Sequence, residues 1–225
     1  MTLLLALALT GLLTGLGTRA LGMPEGGKPP PWILAGGTGL LHVAMVVALV
    51  PLLRAHAFRW REAFGFLTGP RFRTLGLAVA LTIPAMAAAW AVHQGCGWLL
   101  DRLAIPHDTQ AAVDAVRAAS QPWERAVFFL FAAGTAPVVE ELLFRGVVWP
   151  LARDRGWRVS GCLAAALLFA LVHFNAAALV PLWLLGIFWT WLYEVTGDLT
   201  APIVSHALFN ATNFAWIVYA TTDIP

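Results

Sequence analysis

The sequence predicts an all-α protein, a polytopic transmembrane bundle of about seven or eight membrane helices that encloses a polar cavity. Two observations lead to this fold class. The chain of 225 residues is 60% hydrophobic and only 12% charged, whereas soluble domains contain about 25% charged residues. The apolar residues form long runs, and ionisable residues lie inside the later runs. Because charge at membrane depth is costly, these residues are expected to face the bundle interior or a water-filled cavity.

Seven hydrophobic segments are predicted to form the helices. The first segment has no basic region before it and no A-x-A cleavage pattern after it, which favours a retained helix over a signal peptide. A short amphipathic helix is predicted over Gln110–Ser120, either at the membrane interface or as a solvated connector. The seven segments are Leu3–Leu21, Trp32–Leu53, Leu75–Leu99, Ala126–Leu151, Val159–Phe174, Leu179–Tyr193 and Pro202–Ala220.

Basic residues in the short loops predict the orientation in the bilayer. Arginines cluster between the second and third segments and again between the fourth and fifth, so these two loops are expected on the cytoplasmic side, with a cytoplasmic N-terminus. The net charge of +2 gives no indication of nucleic acid binding. Both cysteines, Cys96 and Cys162, are expected to be free. The arginines are Arg54, Arg59, Arg61, Arg71, Arg73, Arg153, Arg155 and Arg158.

Two adjacent glutamates in the fourth segment are the most informative residues. Glu141 and Arg145 are four residues apart, so they lie on one helix face and are predicted to pair. Glu140 lies about 100° around the helix, so its carboxylate is predicted to remain free to act. Pro137 removes a backbone hydrogen bond and is predicted to bend the helix near this group. A buried ion pair that fixes helix packing would explain Glu141 and Arg145 but not Glu140.

Two further polar motifs lie in later segments. Phe169 and His173 have i,i+4 spacing, as do His206 and Asn210, and Asn213 extends the second polar face. Taken alone, either motif is also explained by hydrogen bonds that hold helices together. Together, a carboxylate, two imidazoles and an amide on three helices can bind and deprotonate a water, or hold a metal, and can donate hydrogen bonds to an oxyanion. The set suits hydrolysis of an amide bond within the membrane.

The order EExxxR, FxxxH and HxxxN on successive membrane helices resembles the CPBP family, the CAAX proteases and bacteriocin-processing enzymes, also called Abi, which includes type II CAAX prenyl endopeptidases. The stretch Tyr193–Pro202, which leads into Ser205–Asn210, also resembles the family's approach to its third motif. The resemblance covers about residues 126–213. These are predicted to be the catalytic core helices of a single transmembrane domain, residues 1–225.

The resemblance implies an intramembrane endopeptidase. Together with the orientation predicted from the arginines, the protein is expected in the plasma (inner) membrane, with its active site toward the cytoplasmic side. The implied substrate is a membrane-associated peptide or lipidated protein, a class that includes CAAX-type prenylated proteins. The resemblance also implies that Glu140 activates water as a general base with the help of His173. It implies that His206 and Asn210 bind the scissile carbonyl and its oxyanion.

Three supporting residues are implied in the same way: Glu141 and Arg145 shape and charge the site, and Phe169 packs behind His173. The cofactor stays open. A set of Glu140, His173 and His206 would match a His₂Glu zinc site with an open coordination position, and the family is also described as a metal-free glutamate protease. No HExxH motif favours zinc independently.

Other functions fit the sequence less well. The three serines lack a Gly-x-Ser-Gly context, and the sequence has no pair of membrane-embedded aspartates. The alternative from another class is a non-catalytic membrane factor, such as a bacteriocin self-immunity or scaffold protein. A transporter would show broken helices repeated in two halves of the chain, and Pro137 and Pro84 meet this expectation only loosely. His42 and His93 are expected to be packing or boundary residues.

Overall fold

The computed structural model describes residues 31–55, 71–107 and 111–222. These residues form helices joined by turns, which confirms the all-α class. The first predicted segment, Leu3–Leu21, lies outside the described residues, as do two of the arginines between the second and third segments, Arg59 and Arg61. In chain order, the helices of the described part are α1 Pro31–Ala55, α2 Arg71–Arg102, α3 Ala111–Ala118, α4 Pro122–Arg153, α5 Arg158–Leu171, α6 Ala176–Thr196 and α7 Thr200–Thr222.

Three of the described helices are long and apolar enough to cross a membrane, judged by length and composition: α2, α4 and α6. Helix α5 has 14 residues, so it extends about 21 Å, less than the ~30 Å hydrocarbon core. Helix α7 has 23 residues, but its threonine, serine, histidine and asparagine residues make it less apolar. The described part therefore contains three full-length candidates among the six predicted membrane segments that it covers, as befits an integral membrane protein.

Helix α4 contains two wide turns that flank the glutamate pair. Leu130–Thr135 and Phe144–Val148 are π-helical. Each wide turn is followed within two residues by a proline, Pro137 or Pro150. A proline donates no backbone hydrogen bond, and its ring crowds the preceding turn, so a wider turn relieves both conflicts. The irregularity predicted at Pro137 is present as such a turn, a feature often found at functional sites.

One compact unit comprises residues 31–55, 111–139 and 210–222 of the described chain. In its core, helix α3 and the residue that follows it bury small apolar side chains. The predicted short helix is therefore present, and its apolar face packs against protein. His42 Nδ1 lies 3.1 Å from Thr135 Oγ1, which agrees with the packing role expected of this histidine. The core residues are Ala115, Val116, Ala119 and Phe128, with Phe131, Phe214 and Ile217 packed against them.

The other compact unit comprises residues 71–107 and 140–209. Helices α5 and α6 approach closely at Gly186, where an added Cβ would lie 2.9 Å from the Ala166 Cβ and 3.0 Å from its Cα. His93 Nδ1 lies 3.3 Å from the Ala177 carbonyl oxygen, again a packing contact. Both cysteines are free, as expected. The largest core cluster consists of Ala89, Phe144, Phe169, Ala170, Ala178, Leu182, Leu185 and Trp189.

Two tight turns set the ends of the helices that carry the polar motifs. Helix α5 ends at Leu171 rather than at the predicted Phe174, because Phe174 has a φ of 49° and the Asn175 side chain caps α6. His173 therefore lies in the turn after α5. Helix α6 ends at Gly197, whose φ of 63° suits glycine. The Asp198 carboxylate then accepts a hydrogen bond from the backbone N–H of Thr200 at 2.8 Å and starts α7.

Glu194 joins the ends of three helices in this unit. Its carboxylate accepts hydrogen bonds from Trp149 Nε1 at 2.9 Å, Arg153 Nη1 at 3.2 Å and Arg158 Nη2 at 2.9 Å. Trp149 is buried, whereas the Arg158 side chain is 70% exposed. Because exposed ion pairs contribute little, most of the stabilisation comes from the bond to the buried indole.

Replacing Glu194 with alanine should lower the free energy of unfolding by about 1–3 kcal/mol, because it leaves the buried Trp149 N–H without an acceptor. Thermal melting of the detergent-solubilised protein measures this loss. Asp154→Asn is the matched control, since Asp154 also contacts Arg153 but is 69% exposed. Equal melting temperatures for Glu194→Ala and the parent protein would contradict the joining role.

Candidate active site

The two adjacent glutamates occupy different environments. Arg145 Nη1 donates to Glu141 Oε1 at 2.9 Å, and both side chains are buried. The predicted pairing of Arg145 with Glu141 rather than Glu140 is thus confirmed. The Glu140 side chain is 22% exposed and makes no hydrogen bond within the described residues. One carboxylate is therefore fixed by the arginine, and the other remains accessible.

Arg145 also ties this pair to helix α6. Its Nη2 donates to the Gly186 carbonyl oxygen at 2.8 Å, and its guanidinium carbon lies 5.0 Å from the Phe169 ring centre and 5.4 Å from that of Trp189. A cation near aromatic rings is favoured by their electron-rich faces. These contacts hold a charged side chain in an apolar interior, where an unpaired charge would be costly.

His206 contacts both glutamates. Its Nδ1 lies 2.9 Å from Glu141 Oε1, and its Nε2 lies 3.7 Å from Glu140 Oε2. An ionised carboxylate only accepts hydrogen bonds, so Nδ1 carries the proton in the contact with Glu141. This contact fixes the position of Nδ1, and Nε2 faces the accessible carboxylate. The sequence predicted the pairing of Glu141 with Arg145, but not this second contact of the same oxygen.

His173 is held by its own chain segment. Its Nδ1 lies 2.7 Å from the Phe169 carbonyl oxygen. A carbonyl also only accepts, so Nδ1 carries the proton and Nε2 of the neutral ring is left as an acceptor or base. The Phe169 ring centre lies 4.8 Å from that of His173 and 5.8 Å from that of His206. Phe169 therefore packs against His173, as expected, and also against His206.

Asn210 follows His206 by four residues on α7, in the unit formed by residues 31–55, 111–139 and 210–222. There its Nδ2 donates to the Ala132 carbonyl oxygen at 2.8 Å. An amide nitrogen has two hydrogens, so this packing contact leaves one N–H for another partner. The role of Asn210 toward a scissile carbonyl stays a prediction.

The residues do not form a metal site in this arrangement. Across residues 31–55, 71–107 and 111–222, no three histidine, cysteine, aspartate or glutamate side chains form a group that could hold a metal ion. Glu140 and His206 are neighbours, but His173 does not complete a ligand set with them. The arrangement thus does not fit the zinc site of Glu140, His173 and His206.

Some residues of the site were missed in the sequence. Trp189 stacks on His206, Ser205 accepts the indole hydrogen bond, and Gly186 accepts from Arg145. Ser205 directly precedes His206 in the chain, which is the one feature of the sequence that points to it. Trp189 lies in an apolar segment with two other tryptophans, Trp183 and Trp191, so the pattern offered no signal to distinguish it.

Part of the chain matches a known protein family. Residues 122–212 match the family model described as Type II CAAX prenyl endopeptidase Rce1-like. The matched range runs from the start of α4 into α7 and contains all three motifs. No curated protein and no solved structure gives a significant match.

Proposed function

We propose that this chain is an intramembrane endopeptidase of the CAAX protease family, whose general base is Glu140. The match of residues 122–212 to the family model Type II CAAX prenyl endopeptidase Rce1-like supports the family assignment. The family implies protease activity at a membrane. The proposal adds the residues, the mechanism and the substrate class. The substrate is a peptide bond in a membrane-associated protein, with CAAX-type prenylated proteins as the first class to test.

The observation that carries the mechanism is the contact of His206 with two different carboxylates. Glu141 is buried and fixed by Arg145, and it holds Nδ1 of His206. Glu140 is accessible and lies 3.7 Å from Nε2, beyond direct hydrogen-bond distance. A water bound beside both groups would bridge such a gap. The two glutamates thus have different roles: the Glu141 carboxylate orients His206, and the Glu140 carboxylate reacts.

In the proposed reaction, the Glu140 carboxylate removes a proton from a water while the water oxygen attacks the scissile carbonyl carbon. The resulting oxyanion accepts a hydrogen bond from His206 Nε2, and the resemblance implies the same role for the Asn210 amide. Nε2 donates only when both nitrogens of the imidazole carry a proton. The proton on Nδ1 is hydrogen-bonded to Glu141. The carbon–nitrogen bond then breaks as the Glu140 carboxyl returns its proton to the leaving amine, so that protons and charge balance.

His173 is assigned the role of assisting Glu140, as the resemblance implies, and its unprotonated Nε2 can act as an acceptor or base. The cytoplasmic orientation follows from the arginines at the turn between α4 and α5. On this assignment, the reaction takes place in the cytoplasmic half of the membrane, where a CAAX-type carboxyl terminus lies when its lipid is inserted.

The test is cleavage of defined peptides by the purified protein in liposomes. One peptide carries a farnesyl group on a CAAX cysteine, and its matched control has the same sequence without the lipid. Mass spectrometry identifies the broken bond. Cleavage of either peptide supports the endopeptidase, and faster cleavage of the farnesylated one supports the substrate class. Failure to cleave both peptides, in protein that melts cooperatively, would favour the non-catalytic alternative.

The mechanism also predicts that kcat falls at acid pH. The rate falls as Glu140 becomes protonated and can no longer accept a proton from water. Stopped-time assays across the pH range measure this fall. It should remain in Glu140→Asp, which keeps a carboxylate base, and a rate that rises as the pH is lowered would contradict the role of Glu140.

A further inference from the structure

The imidazole of His206 lies flat against an indole. The ring centres of Trp189 and His206 are 4.0 Å apart, and the two planes are inclined by only 17°. Both side chains are buried. The electron-rich face of an indole favours a cationic ring above it, so the stack suits the doubly protonated imidazole of the proposed mechanism.

A chain of buried hydroxyl groups fixes the plane of this indole. Trp189 Nε1 donates to Ser205 Oγ at 3.0 Å. Ser205 Oγ lies 2.7 Å from Thr82 Oγ1, which donates to the Ala78 carbonyl oxygen at 2.6 Å. Since the Thr82 hydrogen is used by the carbonyl, Ser205 donates to Thr82 and accepts from Trp189. The hydrogen of each of these three hydrogen bonds is thereby assigned. The bonds connect the indole to Thr82 and Ala78 on helix α2, and this connection fixes the rotation of the indole.

We propose that Trp189 is a positioning residue for His206, held in place by Ser205 and Thr82. The inference rests on the proposed function. Glu141 fixes one atom of the imidazole, which leaves the ring free to turn about that hydrogen bond. The flat contact with Trp189 removes this freedom. Together the two contacts aim Nε2 at the side of Glu140, where the oxyanion of the proposed reaction forms.

The first experiment replaces Trp189 with phenylalanine, which keeps a flat ring but has no N–H for Ser205. We expect kcat to fall roughly 10–100-fold, the size of effect that misplacement of a reacting group produces, while KM changes little. Trp183→Phe is the matched control. It lies on the same helix and loses a similar bond, from Nε1 to the Leu163 carbonyl oxygen at 3.0 Å, and its kcat should match that of the parent.

The second experiment tests whether Ser205 acts through Trp189. Ser205→Ala should lower kcat in the same way, and the double variant should be no slower than the slower single variant, because both changes remove one interaction. The proposal would be overturned if kcat of the double variant were lowered by the product of the two factors by which the single variants lower it. Thermal melting of each variant identifies loss of folding, and Trp189→Phe alone still decides the question if Ser205→Ala does not fold.

A readout independent of proteolysis separates this inference from the proposed function. Nitrogen NMR of ¹⁵N-histidine-labelled protein, at a pH where the ring is neutral, reports which nitrogen of His206 carries the proton. The parent and Trp183→Phe should show the Nδ1–H tautomer alone, and Trp189→Phe a mixture. An unchanged single tautomer in Trp189→Phe would overturn the positioning role. If the parent protein cleaves no peptide, but the parent and Trp189→Phe differ in tautomer as expected, only the proposed protease function is overturned.

Discussion

Replacing Glu140 with glutamine should remove nearly all turnover, with kcat lowered by about 10²–10⁴-fold, the usual contribution of a general base. The amide has almost the shape of the carboxylate but cannot take a proton from water. Glu140 is partly exposed and has no hydrogen bond that folding depends on within the described residues, so the melting temperature and substrate binding should change little. Peptide cleavage and thermal melting of the same preparation measure both effects.

Glu124→Gln is the matched control for this variant. Glu124 lies on the same helix, and its carboxylate accepts from the backbone N–H groups of Ser120 and Gln121 at 3.0 Å, where it caps the start of α4. The same chemical change there should leave kcat as in the parent. Full activity in Glu140→Gln would refute the proposed mechanism, whatever the control shows.

Replacing Glu141 with glutamine should damage both stability and rate. Glu141 is completely buried, and one of its oxygens accepts from Arg145 and His206 together. The neutral amide leaves the arginine poorly compensated, and breaking a buried ion pair costs up to ~3–5 kcal/mol. The rate should fall as well, because His206 loses the charge that holds its Nδ1 proton.

The comparison of the two adjacent variants separates the roles of the two glutamates. Glu140→Gln should be slow and stable, and Glu141→Gln slow and less stable. Unchanged melting of Glu141→Gln would remove the structural role assigned to this residue but not the mechanism. An unchanged rate in Glu141→Gln would remove the idea that this carboxylate orients His206.

Local spacing predicted several features of the fold and site correctly. The i,i+4 spacing of Glu141 and Arg145 predicted their ion pair, and the apolar runs predicted the helices of the described part. The same spacing placed Phe169 beside His173. The ion pair depends on neighbours within one helix, whose geometry is regular enough for spacing to determine contact, and His173 keeps its contact with Phe169 in the turn that follows α5.

Contacts between helices were not predictable from the same sequence. His206 meets Glu141 across 65 residues of chain and stacks on Trp189, and no periodic pattern encodes either contact. The wide turns of α4 also shift its side chains away from regular helical spacing. His173 falls beyond the end of α5 because the αL conformation of Phe174 and the cap at Asn175 end that helix early.

The most direct test of the central claim is cleavage of the reporter peptide in water enriched in ¹⁸O, under conditions of one turnover per enzyme. If Glu140 acts as a base, the new carboxylate of the product carries one ¹⁸O atom, and Glu140 carries none. Mass spectrometry measures the ¹⁸O content of the product and of the enzyme peptide that contains Glu140. An unlabelled product with the label on Glu140 would mean that this residue attacks the peptide itself, and absence of any cleavage would contradict the protease altogether.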